Sequence, residues 1–170
     1  ERLVVQALGT DYRGMGAPRV VSQNITGQND LNPAVAALPE GQSVVVWESG
    51  PRSSRDIFIR VLDAQGQFQS DIQPVNSFQA GVQSDAAVSA LANGNVLVVW
   101  ASDGQDGSGE GIYGQRFSQT GSKVGTEFRV SQTTNQNQSR PAVAALSASQ
   151  FAVAWVGESV AGQNSSGAPN

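Results

Sequence analysis

The chain has 170 residues, 39% hydrophobic and 14% charged, with a net charge of −4; that is apolar enough to bury a core and too weakly charged for a disordered polyelectrolyte. It holds no cysteine and no histidine, which excludes disulfides, thiolate or imidazole metal sites, cysteine nucleophiles and histidine-based triads. Lys123 is the sole lysine, so there is no basic patch for nucleic acid, and no apolar run approaches the ~18 residues of a membrane-spanning helix.

In chain order, the apolar runs are short and bounded by turn residues. Residues 1–23 hold LVVQALGTDY (Leu3 to Tyr12) and RVVSQ (Arg19 to Gln23). Then come PAVAAL (Pro33 to Leu38), SVVVW (Ser43 to Trp47), IFIRVLDAQG (Ile57 to Gly66) and PVNS (Pro74 to Ser77). The same four kinds of run return as AAVSAL (Ala86 to Leu91), NVLVVW (Asn95 to Trp100), IYGQRFSQTG (Ile112 to Gly121) and RVSQ (Arg129 to Gln132). PAVAAL (Pro141 to Leu146) and FAVAW (Phe151 to Trp155) close the series. Runs of this length, rich in Val, Ile and Phe, are strands. PEGQ, ANGN and SASQ separate the first and second runs of a unit, and DAQGQ and SQTGS the third and fourth, as hairpin turns would. No segment keeps a helical period over more than two turns.

The chain is therefore expected to be all-β with an internal repeat. Trp47, Trp100 and Trp155 lie 53 and 55 residues apart. The second run of each unit is apolar at nearly every position, as in a strand buried on both faces. Four-stranded sheets stacked through both faces are the blades of a β-propeller, whose repeats are typically about 40 to 50 residues. A β-sandwich is the alternative. In this reading residues 1–23 are a half-blade, 33–78 and 86–131 are blades, 141–155 is a second half-blade, and 156–170 is a polar tail or linker. Three units fall short of the roughly four to eight blades of a closed ring. The half-blades are thus expected to be completed, either within a longer repeat protein or by an identical chain. The second route gives a homo-oligomer, such as a six-bladed ring with twofold symmetry, or an open polymer. The first residue is Glu1 and not Met, which reads as a processed chain or a piece of a longer one.

The segment WASDGQDGSGEGIYGQRFSQTGSKVGTEFRVSQTTNQNQSRPAVAAL (Trp100 to Leu146) resembles the tandem repeats of very large secreted and cell-surface bacterial proteins, which often also carry RTX-type calcium-binding or cadherin-like modules. Its landmarks are VVW, SDGQDGSG, GIYGQRF, a Gly turn, EFRV and P-x-VAAL. Residues 33–99 match less closely, with GPRSSRDIFIRVLDAQG in place of the acidic loop, and residues 1–23 match in outline. The resemblance implies an extracellular or cell-surface setting and a structural, adhesive or matrix role, and it implies no catalytic residue.

Four sets of residues are candidates for chemistry. The three tryptophans are either sugar-stacking platforms, as in lectin propellers that bind glycans, or packing residues between blades; their fixed place after a Val run favours packing. Asp103, Asp106 and Glu110 in the loop SDGQDGSGE are candidate calcium ligands on a glycine-rich backbone, although the loop lacks the EF-hand spacing. The corresponding loop ESGPRSSRD keeps Glu48 and Asp56 and adds Arg52 and Arg55, so a metal is not expected in every unit. Glycosidase chemistry needs two facing carboxylates; no spacing singles out a pair, and no enzyme activity is expected. Asn24, Asn137 and Asn164 fit the N-x-[ST] acceptor pattern for glycosylation. The function expected from the sequence is a self-associating structural or adhesive repeat module, with a carbohydrate-binding lectin as the alternative.

Overall fold

The structure, a computed structural model, describes residues 1–22, 29–134, 136–147 and 149–157. Among them there is no α-helix, and twelve strands form four antiparallel sheets. The first sheet pairs β1 (Val4–Val5) with β2 (Arg19–Val20). The second holds β3 (Asn29–Ala37), β4 (Ser43–Gly50), β5 (Asp56–Leu62) and β6 (Gln73–Pro74) in sequence order. The third repeats that order with β7 (Gln83–Ala90), β8 (Val96–Asp103), β9 (Glu110–Phe117) and β10 (Lys123–Arg129). The fourth pairs β11 (Gln138–Ala145) with β12 (Phe151–Gly157). Among the described residues no sheet closes on itself. β12 carries two residues, Val156 and Gly157, that the sequence reads as tail; residues 158–170 lie outside the described residues.

The register repeats from sheet to sheet. Trp47 pairs with Phe58 and Trp100 with Tyr113. Val4 pairs with Val20, Phe58 with Pro74 and Tyr113 with Arg129. One hydrogen-bonding device fixes these hairpins three times. The N–H of Leu3, Ile57 and Ile112 donates to Ser22 Oγ (3.1 Å), Asn76 Oδ1 (2.8 Å) and Ser131 Oγ (3.0 Å), each 19 residues on. The carbonyls of the same three residues accept from the N–H of Val21, Val75 and Val130. Each of these strand starts is buried, so the side-chain oxygen satisfies a donor that would otherwise be left without a partner.

The strands that open the second, third and fourth sheets share a β-bulge. Their register shifts between Leu31 and Ala34, between Ser84 and Ala87, and between Ser139 and Ala142. Asn32, Asp85 and Arg140 sit in these bulges with φ of 48°, 55° and 52°. Asn and Asp tolerate that left-handed conformation better than Arg does.

The core lies between sheets. Val44 and Val46 of β4 and Ile57, Ile59 and Val61 of β5 pack against Val96, Val98 and Trp100 of β8 and Tyr113 and Phe117 of β9. Alternate residues of the second sheet, Val45, Trp47 and Leu62, pack the other way, on Leu3 and Val21 of the first. β4 and β8 are therefore buried on both faces, which is why their sequences are apolar throughout.

Candidate functional site

The most distinctive surface is formed by the two half-sheets. Each carries large apolar residues whose counterparts in the complete sheets are buried. Leu38 and Leu91 end the opening strands of the second and third sheets inside the core, whereas Leu146 in the fourth is 66% exposed. Trp47 and Trp100 are buried, whereas Trp155 is 40% exposed. At the other end, Leu62 and Phe117 are buried and Leu8 is 59% exposed, while Val4, at the position of half-buried Phe58 and buried Tyr113, is 53% exposed. Val35 of β3 is exposed and its counterpart Val88 is packed on the core, because Val88 faces a four-stranded sheet and Val35 faces a two-stranded one.

Two grooves accompany these surfaces. A cavity of about 450 Å³ lies between the first and second sheets, lined among others by Val5, Leu8, Met15, Arg19, Val35 and Asp63. A second, of about 310 Å³, is lined by Leu91, Asn95, Arg116, Val124 and Phe151. The corresponding space between the second and third sheets is closed. There the turn at Gly121, whose φ is 83°, comes so near the preceding sheet that a Cβ would lie 3.2 Å from Val61 Cγ2 and 3.4 Å from Ser70. Gln119 Nε2 also donates to Gln42 Oε1 across that junction at 2.9 Å.

A buried polar cluster joins the second and third sheets. Glu48 is fully buried and accepts from Asn32 Nδ2 (2.9 Å), from the Asp85 backbone N–H (2.8 Å) and from Arg55 Nη1 (3.2 Å). Asp85 Oδ2 in turn accepts from the Arg140 N–H at 3.2 Å. The bulges of successive sheets are thus linked by an acidic side chain reaching to the next backbone. The sequence marks Glu48 and Arg55 as loop residues and gives no sign that they are structural. Gln83 is a further residue the sequence does not single out: fully buried, it accepts from Trp100 Nε1 (3.1 Å) and donates to the Ala80 carbonyl (3.1 Å).

Of the candidate calcium ligands, Asp103 and Glu110 are opposite one another on the last rung between β8 and β9. Asp106 is turned into the protein, with its side chain 3% exposed and Oδ2 3.9 Å from Arg129 Nη1. Its Oδ1 accepts the Ser108 N–H at 3.3 Å. Among the described residues, no three acidic side chains gather as a metal site would require. Asn137 is exposed, and its Oδ1 accepts the Glu110 N–H at 3.1 Å. Asn24 and Asn164 lie outside the described residues.

Burial raises the pKa of the Tyr113 phenol, and the negative charge of Asp106 adds to the shift. Burial lowers Lys123, opposed by Glu127. Burial also lowers Arg60, opposed by Asp71; this guanidinium donates to the Val21 carbonyl (2.9 Å), holds the first sheet to the second, and stacks on Phe68 with its carbon 3.4 Å from the ring centre.

No protein-family model matches the chain, and no curated protein matches it. Among solved structures it is similar to a protein of unknown function from Dyadobacter fermentans DSM 18053, with 14% sequence identity and a TM-score of 0.47. The similarity covers 70% of this chain and 48% of that one.

Proposed function

We propose that the chain is a structural, adhesive repeat module of the bacterial cell exterior, built of propeller-like blades. Its two half-sheets are completed by complementary half-sheets, those of an identical chain or of the adjoining part of a larger surface protein or filament. The observation that carries this reading is the exposure of Leu146, Trp155 and Leu8, each at a position that both complete sheets bury. Such a surface gains free energy from burial at roughly 25 cal/mol per Å², and an unpaired strand edge adds backbone donors and acceptors to be satisfied. The low charge, the absence of cysteine and the resemblance of Trp100 to Leu146 to secreted bacterial repeats support the location.

The solution mass over a dilution series tests the proposal. For completion by an identical chain the expected result is a species of at least twice 17.7 kDa that dissociates on dilution; a folded monomer at every concentration overturns that form of completion. A lectin is the rival reading, favoured by the half-exposed Trp155 and by the cavity carrying Arg19 and Asp63. It requires saturable tryptophan fluorescence changes on adding sugars, whereas the structural reading expects none.

A further inference from the structure

We propose that the partner completing the half-sheets is a second copy of this chain in one defined register, with Trp155 of one copy opposite Val4 of the other, and with Tyr12 docked on Arg116 and Gly125 of the second copy. This rests on the function proposed above and specifies the partner and the fit.

The register comes from the complete sheets. Trp47 pairs with Phe58 and Trp100 with Tyr113, and the position of Phe58 and Tyr113 is held by Val4 in the first sheet. The connections agree in length, since the isolated bridge from Leu8 to Gly14 matches those from Leu62 to Phe68 and from Phe117 to Lys123. Carried to β12 and β1, this register sets Phe151 opposite Leu8 and Ala152 opposite Ala7. It places the half-exposed Trp155 beside Val4 and Phe151 beside Leu8.

Tyr12 supplies the second observation. Its N–H donates to the Gly9 carbonyl, as those of Gly66 and Gly121 donate to Asp63 and Ser118. Tyr12 therefore occupies the turn position that glycine fills in the other two sheets, with a φ of 61° and 88% of its surface exposed. A large side chain in that conformation is unfavourable. At the closed junction, Gly121 lies against Val61 and Ser70. In the third sheet, the same positions are Arg116 and Gly125. A glycine replacing serine makes room for a ring, and a guanidinium replacing valine gives it a flat cation to stack on. The groove of about 310 Å³ is lined by Arg116, Val124 and Phe151, where the hairpin of the second copy would lie. Replacing Tyr12 by glycine, the residue at the Gly121 turn of the closed junction, would remove the side chain proposed to fill that groove without disturbing the hairpin.

The chain contains no cysteine, so cysteine pairs report the register cleanly. The Ala7 carbonyl accepts from Met15 within its own sheet, so Ala7 and Ala152 would form a non-hydrogen-bonded pair, whose Cα separation of ~4.5 Å suits a disulfide. A7C mixed with A152C in a glutathione redox buffer is expected to give a covalent dimer that neither variant forms alone. A7C mixed with A154C, two residues out of register, is expected to give about tenfold less. Tyr12→Gly relieves the strained turn and is expected to leave the monomer as stable or more so, yet to raise the dissociation constant about tenfold, equivalent to ~1.4 kcal/mol. Association without the 7–152 disulfide overturns the register and leaves the proposed function standing. An intrachain disulfide in the A7C/A152C double variant, or no association by mass, overturns both the register and completion by an identical chain. An unchanged dissociation constant for Tyr12→Gly overturns its docking role.

Discussion

Trp100 and Trp155 end the same run of the repeat, after NVLVV and FAVA, yet one is fully buried and the other 40% exposed. The strand is the same and the neighbours differ. β8 has β9 along one edge and β7 along the other, with the second sheet across its face; among the described residues β12 has β11 along one edge and no strand along the other, in a sheet that packs on the third through β11. The same contrast runs through Leu91 and Leu146, and through Phe117 and Leu8. A repeat of this kind specifies the shape of its own missing partner, because each complete sheet is a template for what the half-sheets lack.

The comparison can be broken most forcefully at the tryptophans. Trp100→Ala removes a buried side chain that also donates to Gln83, and is expected to lower unfolding free energy by about 3–5 kcal/mol. Trp155→Ala is expected to cost the monomer less than Trp100→Ala does, and to weaken association as well; denaturant titration below the dissociation concentration separates the two. Glu48→Ala strands Arg55, Asn32 and the Asp85 N–H at once, and is expected to cost about 3 kcal/mol by the same measurement.

Smaller effects sharpen the contrast. Asn76→Ala and Ser131→Ala each leave a buried strand N–H without its acceptor, at an expected cost of about 1–3 kcal/mol. Ser22→Ala does the same to the buried Leu3 N–H in the first sheet, at the same expected cost of about 1–3 kcal/mol. The Tyr113 phenol gives a pH signature confined to the third sheet. Its folded affinity for the proton is raised by burial, so above the ordinary tyrosine value of about 10 the unfolded chain loses a proton that the folded one keeps. Stability therefore falls as pH rises through that window, and Tyr113→Phe is expected to remove that part of the fall, measured by denaturation at pH 9 to 11.

Much of the architecture is legible in the sequence. The spacing of the tryptophans, the turn residues and the apolar character of SVVVW and NVLVVW predict four strands per unit, two complete units and two halves, and the sheets follow that order. The bulges are not legible, because Asn32, Asp85 and Arg140 carry no glycine to mark a left-handed backbone. Nor is the Ser22, Asn76 and Ser131 device, which joins residues 19 apart through side chains that read as ordinary turn polarity. The exposure of Trp155 depends on which strands lie beside it, and no local pattern encodes that. The inward turn of Asp106 beside Arg129 is likewise not legible in the acidic loop's sequence.

The most direct test of completion at β12 is amide hydrogen exchange along that strand at high and low protein concentration. The Leu146 N–H donates to the Gln150 carbonyl, so the groups of Ala152 and Ala154 face β11, and those of Phe151, Val153 and Trp155 face the open edge. The account predicts that Ala152 and Ala154 stay protected at both concentrations, while Phe151, Val153 and Trp155 are protected when concentrated and lose protection on dilution. Fast exchange at Phe151, Val153 and Trp155 at every concentration would contradict it.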